Sequence, residues 1–79
     1  MPMMTKTTTY GQRLLAARTR AVLSTRELAK ISGVGRDTII RLEADRQQPH
    51  TITTRRLAAA LGITPQALAG VEAPEGASG

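Results

Sequence analysis

The stretch Ser24–Glu43, with the sequence STRELAKISGVGRDTIIRLE, decides the fold of this chain of 79 residues. Ser24 and Glu27 have the spacing of a capping box, in which the serine hydroxyl accepts from a free helix N–H and the glutamate accepts from the serine N–H. A helix is therefore predicted to begin at Thr25. Gly33 suits the left-handed conformation that ends a helix, so this helix should last about two turns.

A second apolar pattern begins at Arg36, just after a turn that contains Val34. Ile39 and Leu42 are three positions apart, which is the spacing of one helical face. Because the connection between the two helices is so short, they cannot lie antiparallel and must cross at a large angle. The stretch therefore predicts a helix-turn-helix, whose second helix enters the major groove of DNA.

A helix is also predicted before this stretch, from Gly11 to Arg20. Its inward side is expected to carry Leu14, Leu15 and Ala17. Its outward side is expected to carry Arg13, Arg18 and Arg20.

Two shorter signals predict helices after the stretch. One helix should begin between Thr51 and Thr54 and end at Gly62. Thr64, followed by a proline, should cap a one-turn helix that ends before Gly70. Residues 1–9 show no periodicity and are expected to form a flexible arm, and residues 71–79 carry too little apolar content to fold. We therefore expect one all-α domain of five helices over residues 10–70.

The composition removes several classes of protein. The chain has no cysteine and one histidine, His50, which excludes disulfides, thiolate metal sites and paired histidines. Since the sequence contains no paired carboxylates, no nucleophile beside a base and no phosphate-binding loop, we expect no enzyme, metal or cofactor. No apolar run approaches the roughly 20 residues that span a bilayer, and the first residues lack the apolar core of a signal peptide. A cytoplasmic protein without membrane contact is expected.

The charge of the chain favours nucleic acid as the partner. Glu72 and Glu75 lie in the last nine residues, so residues 1–70 hold 11 basic and four acidic side chains and a net charge of +7. A basic domain attracts polyanions and gains affinity by releasing counterions from phosphates. Tyr10 is the only aromatic residue, and single strands and RNA loops usually need several aromatic rings to stack on. Double-stranded DNA is therefore the better candidate.

Three groups of residues, in this order and spacing, are similar to a known family. They are Leu23-Ser24-x-x-Glu27-Leu28-Ala29-x-x-x-Gly33-Val34, then Ile39-x-x-Leu42-Glu43, and, after Pro49, Leu57-Ala58-x-Ala60-Leu61-Gly62-Ile63. Residues 11 to 69 resemble the Xre/Cro phage-repressor class of helix-turn-helix domains. The resemblance implies a compact five-helix, lambda-repressor-like domain that binds operator DNA, usually as a symmetric dimer, to repress or activate transcription.

Five positions depart from the pattern of that family, and two of them, Ile31 and Ile40, are apolar where the family usually has polar residues, so either could contact a partner or DNA. Gly35 replaces the Ser or Thr that usually caps the recognition helix, and it has no hydroxyl to offer to a phosphate. Asp45 replaces a frequent glycine where the chain is expected to turn left-handed. Thr54 replaces an apolar residue, which should weaken the packing unless Ile52 turns inward.

Four residues of the second helix of the motif are predicted to read bases, because Ile39 and Leu42 take its inward side. They are Arg36, Asp37, Ile40 and Arg41. The arginines can donate two hydrogen bonds to guanine, Asp37 can accept from cytosine, and Ile40 can touch a thymine methyl group. The alternatives are that this face is only solvated, or that Asp37 orients a neighbouring arginine.

Further residues are expected at the DNA backbone. They are Ser24, Thr25, Gly35, Thr38, Arg46 and Gln48. Thr25 lies at a helix N-terminus, whose free N–H groups suit a phosphate oxygen, and Ser24 is first a cap. The resemblance also implies an ion pair between Arg18 and Glu43, with two separate surface charges as the alternative.

The oligomeric state and the partner remain open between alternatives. An apolar patch of Ile63, Ala67, Leu68 and Val71 could hold a homodimer together or could belong to the core, and dimerisation only on DNA is a further alternative. The chain could also be a partner-binding module, such as the antitoxin of a toxin–antitoxin pair. A third alternative is an architectural protein that binds DNA without base specificity.

Overall fold

The computed structural model describes residues 8–70, which form five helices and no strand. The helices are α1 (Tyr10–Arg20), α2 (Thr25–Ser32), α3 (Arg36–Glu43), α4 (Thr51–Leu61) and α5 (Pro65–Ala69). The prediction of an all-α, five-helix, lambda-repressor-like fold is confirmed. Residues 1–7 and 71–79, which make up most of the expected arm and the expected tail, lie outside the described residues. No helix within residues 8–70 has the length and apolar character needed to cross a membrane.

Local capping signals set where the helices begin. Ser24 accepts from the N–H of Glu27, and the Glu27 carboxylate accepts from the N–H of Ser24 at 2.8 Å, so the predicted capping box is present. Thr9 makes the same kind of box with Gln12 at the start of α1. Thr9 is therefore the N-cap of α1 and not part of the expected arm, because Thr-x-x-Gln is also a capping-box pattern.

Every helix contributes to a single core. Its buried members include Leu14 from α1, Leu28 from α2, Ile39 and Leu42 from α3, and Leu57 and Leu68 from α4 and α5. Leu15 was predicted to face inward, but 43% of it is exposed. The inward residues of α1 are Gly11, Leu14 and Ala17, three positions apart, and Leu15 is rotated about 100° away from Leu14.

Helices α1 and α3 touch each other backbone to backbone at Gly11. A Cβ atom built on Gly11 would lie 2.6 Å from the carbonyl oxygen of Leu42 and closer still to that of Glu43. No side chain fits between the two helices at this position. Gly11 therefore determines how closely α1 approaches the C-terminal end of α3.

Thr54 stands at a position where the family usually has an apolar residue, and Ile52 does not turn inward to compensate for it. Ile52 is 64% exposed, whereas Thr54 is buried and its hydroxyl lies 2.8 Å from the Tyr10 hydroxyl. A buried hydroxyl is tolerated when it has a hydrogen-bond partner. Burial raises the pKa of Tyr10 although the hydrogen bond to Thr54 acts in the opposite direction, so the Tyr10 hydroxyl stays protonated at neutral pH.

Asp45 adopts the predicted left-handed conformation, with φ 57°, and also holds the start of α1. Its carboxylate accepts from the Thr9 hydroxyl at 2.7 Å and from the N–H of Gly11 at 2.9 Å. The hydrogen bond from Thr9, followed by that from Gly11, holds the pKa of Asp45 below its ordinary value. The loop after α3 is thereby tied to the N-terminus of α1.

The substitution Asp45→Asn is expected to make unfolding less sensitive to acid. A carboxylate whose pKa is lower in the folded state stabilises the fold fully above its unfolded pKa of about 3.9, and this stabilisation is lost as the pH falls through the folded pKa. The melting temperature of the wild type should therefore fall more steeply below about pH 4 than that of the variant, which is less stable at neutral pH. Asp37→Asn is the matched control, because the Asp37 side chain is exposed and forms no ion pair within residues 8–70. Equal acid slopes for the wild type and Asp45→Asn would contradict the role given to Asp45.

Candidate nucleic-acid interface

The four predicted base-reading side chains all lie on the outer face of α3. Ile39 and Leu42 are 0% and 1% exposed and fix the rotation of this helix against the core. The residues that they leave on the outside are Arg36, Asp37, Ile40 and Arg41, and all four are exposed. This face therefore offers two guanidinium groups, one carboxylate and one apolar side chain to whatever approaches the helix.

Arg36 is held at the junction of α2 and α3. Its Nε donates to the Thr25 hydroxyl, at 3.3 Å, across the turn of the motif. Within residues 8–70 the two terminal nitrogens of the guanidinium make no hydrogen bond, so they can donate to a ligand. Thr25, which is half-buried, can therefore orient the arginine as well as lie near a phosphate.

The negative charge at the N-terminus of α2 is the Glu27 carboxylate, which already accepts a hydrogen bond within the motif. The Glu27 carboxylate accepts from the N–H of Ser24, and hydrogen bonds from Ser24 hold the pKa of Glu27 below its ordinary value. The hydroxyl oxygen of Ser24 accepts from the N–H of Glu27 at 3.0 Å. Ser24 is thus a structural cap whose main chain and hydroxyl both interact with Glu27.

The remaining backbone candidates flank α3 at both ends. Gly35 is the N-cap of α3 and provides no side-chain cap, while Thr38 is half-buried one turn further on. Arg46 and Gln48 are exposed in the loop after the helix. The N–H of Arg46 donates to the carbonyl oxygen of Arg41 at 2.8 Å, so this loop closes directly onto the end of α3.

Arg18 and Glu43 form a two-point ion pair beneath the motif. The Arg18 Nε–Glu43 Oε2 distance is 2.6 Å, and the Nη2–Oε1 distance is 3.0 Å. Arg18 Nη1 also donates to the carbonyl oxygen of Leu23 at 3.0 Å. The two side chains are 17% and 12% exposed, and the hydrogen bonds to Glu43 raise the pKa of Arg18. The pair joins α1 to the end of α3 and to the residue before the motif.

The contacts of Arg13 were not predicted from the sequence, whose pattern indicated an outward-facing side chain. Arg13 is half-buried, and its guanidinium donates to the carbonyl oxygens of Leu68 at 2.9 Å and Ala69 at 3.0 Å. It also donates to the carbonyl oxygen and the hydroxyl of Thr8. The carbonyls of Leu68 and Ala69 lie 55 and 56 positions further along the chain, so no local pattern in the sequence could have identified these two partners.

The described residues contain no group that points to a metal. In residues 8–70 no set of three or more His, Cys, Asp and Glu side chains is placed to hold a metal ion. The two arginines of the candidate interface offer hydrogen-bond donors and positive charge. This chemistry matches the edge of guanine and the oxygens of a phosphate.

Comparisons with known proteins agree with this geometry. A family model described as "Helix-turn-helix domain" matches residues 9–70. The crystal structure of the restriction-modification controller protein C.AhdI from Aeromonas hydrophila is similar to this chain, with a TM-score of 0.72 and 36% sequence identity. The match covers 75% of this chain and 89% of that chain. Among curated proteins, none matches the chain.

Proposed function

The chain belongs to the helix-turn-helix domain family, of the Xre/Cro type, and we propose that it is a sequence-specific transcriptional regulator that binds a palindromic operator as a dimer. In this proposal, α3 of each subunit lies in the major groove of the DNA. The observation that carries the proposal is the exposed outer face of α3, on which Arg36 is braced by Thr25. A braced side chain loses less conformational entropy when it binds a base.

Each side chain on this face has a defined task in the proposal. Arg36 and Arg41 donate to guanine O6 and N7, and Ile40 packs against a thymine methyl group. Asp37 accepts from cytosine N4 or holds one of the arginines in place. The expected phosphate contacts come from Thr25 at the start of α2 and from Arg46 after α3, which would fix the register of the protein on the duplex.

The dimer contact is proposed for the exposed part of the predicted apolar patch. Ile63 is half-buried and Ala67 is exposed, so both can contact a second subunit. Leu68 is 0% exposed and belongs to the core, and Val71 lies outside the described residues. A dimer would bind two half-sites about one helical turn apart, roughly 34 Å.

The likeness to C.AhdI favours one specific form of this function. C.AhdI is a restriction-modification controller protein, and its 36% identity extends over 75% of this chain. We therefore propose that the genes under control encode restriction and modification activities. In this proposal the α3 face selects the operator, because base readout is what specifies a site.

The experiment that tests this function is the selection of bound sequences from a random duplex pool at a stated salt concentration. We expect a symmetric enriched motif. Arg36→Ala should reduce discrimination by about 1–3 kcal/mol at one cognate base pair in each half-site and leave the other positions unchanged. Lys30→Ala is the matched control, because it removes one positive charge from an exposed helical position of the same motif outside the α3 face.

Two outcomes would count against this function. If Arg36→Ala and Lys30→Ala weaken binding to all sequences equally, the protein binds DNA without reading bases. If the wild type enriches no sequence at all, the partner-binding alternative takes its place. Salt concentration has to be held constant across the variants because phosphate contacts make affinity strongly dependent on salt.

A further inference from the structure

Helices α1 and α5 leave an open groove between them, which has a volume of about 170 Å³ and which we call the α1–α5 groove. Its lining includes the apolar residues Ala16, Ile63 and Ala67. Arg13 and Arg20 also line it. The groove thus combines an apolar surface with two guanidinium groups.

The two arginines lie on one face of α1. Arg13, Ala16, Ala17 and Arg20 are spaced at i, i+3, i+4 and i+7, so they form a single stripe along the helix. Seven residues of helix place the Cα atoms of Arg13 and Arg20 roughly 10 Å apart. Within residues 8–70, neither arginine makes an ion pair with a carboxylate. The hydrogen bonds from Arg13 to main-chain carbonyls leave its positive charge in place.

The chain leaves α5 at the Arg13 end of this groove. Gly70 ends α5 in the left-handed conformation, with φ +79°, and a Cβ atom built on it would lie 2.6 Å from Arg13 Nη2. The next nine residues read VEAPEGASG and contain Glu72, Glu75 and no basic residue. In an extended chain these two glutamates are roughly 10 Å apart, which equals the separation of the two arginines.

We propose that residues 71–79 dock in the α1–α5 groove of their own chain, with Glu72 near Arg13 and Glu75 near Arg20. The small apolar residues around the glutamates would then cover the Ala16 and Ala67 surface. Residues 71–79 lie outside the described residues, so the proposal depends on the charge and spacing of the groove and on the point where the chain enters it. Ala67 also belongs to the proposed dimer contact. If the proposed function holds, the docking of residues 71–79 and dimerisation would therefore compete for the same surface.

A spin label provides a direct test, because the chain has no cysteine and Ser78→Cys creates a single attachment site. In the full-length protein with a nitroxide at this position, the amide signals of Ala16, Arg20 and Ala67 should lose most of their intensity. Ile31 should keep its signal, because α2 packs on α3 and α4. Raising the ionic strength to about 1 M, where the Debye length is about 3 Å, should restore the lost intensity.

Neutral variants of the two glutamates test whether their charges hold residues 71–79 in the groove or whether the spin label is near the groove by chance. Glu72→Gln combined with Glu75→Gln should restore the signals, whereas Ala77→Gln, which keeps both carboxylates, should leave them broadened. The proposal would be overturned if no broadening occurs or if it survives the double substitution. Broadening that arises only when isotope-labelled chains are mixed with separate spin-labelled chains would also overturn it, because the segment would then dock on a second copy. None of these readouts requires DNA, so they are independent of the proposed regulatory function.

Discussion

Replacing Glu43 by alanine is expected to lower the free energy of unfolding by about 3 kcal/mol. The substitution leaves the Arg18 guanidinium, 17% exposed, without the carboxylate that it contacts at 2.6 Å. Breaking a buried ion pair by removing one partner costs roughly 3–5 kcal/mol, and the residual exposure of this pair favours the lower end. For a domain of this size the melting temperature should fall by roughly 12 °C or more. Thermal and urea unfolding followed by circular dichroism measure both quantities.

Asp37→Ala is the matched control for this prediction. It also removes an acidic side chain from α3, but the side chain is exposed and its carboxylate forms no ion pair within residues 8–70. Its effect on the free energy of unfolding should stay within about 0.5 kcal/mol. An unchanged melting temperature for Glu43→Ala would mean that Arg18 and Glu43 act as separate surface charges, despite their geometry.

Gly11→Ala is expected to destabilise the fold by about 3 kcal/mol, although alanine is the better helix former by about 1 kcal/mol. The added methyl group would overlap the carbonyl oxygens of Leu42 and Glu43. Since these are backbone atoms that no rotamer change can move, α1 and α3 must separate. Overpacking of this kind usually costs about 1–3 kcal/mol, and the separation should also strain the hydrogen bond from Gly11 to Asp45. Urea unfolding measures the loss.

Gly35→Ala provides the comparison at a glycine with space around it. A Cβ atom on Gly35 would have the Thr38 hydroxyl oxygen, at 3.8 Å, as its nearest neighbour, and the φ of −59° suits any residue. This substitution should change the free energy of unfolding by less than about 1 kcal/mol. If Gly11→Ala were equally mild, α1 and α3 would have to be able to move apart without loss of packing elsewhere.

The motif itself was predictable because its signals are local. The capping box joins two residues three positions apart, and the 3.6-residue period of α3 decides which side chains point outward once Ile39 and Leu42 are buried. These two facts also define the candidate base readers. Their exposure agrees with the prediction, while their contacts with DNA remain a prediction.

The helix faces were predicted less well where the pattern was ambiguous. Leu14 and Leu15 are adjacent leucines on α1, and both were expected inside. A helix rotates about 100° per residue, so only one of them can point at the core, and that one is Leu14. The burial of Thr54 was hard to predict for a different reason. Its hydroxyl forms a hydrogen bond with the hydroxyl of Tyr10, which lies 44 positions earlier in the chain.

The sequence by itself determined where α2 begins, where α4 and α5 end, and which side chains face outward from α3, because capping and periodicity act over a few residues. Only the tertiary structure decided that Gly11 must lack a side chain, that Asp45 holds α1, and that Arg13 binds the carbonyls of α5. These contacts join residues 34 and 55 positions apart for Asp45 and Arg13. Such contacts exist only after the apolar faces have packed, so their partners are not encoded in any short stretch of the chain.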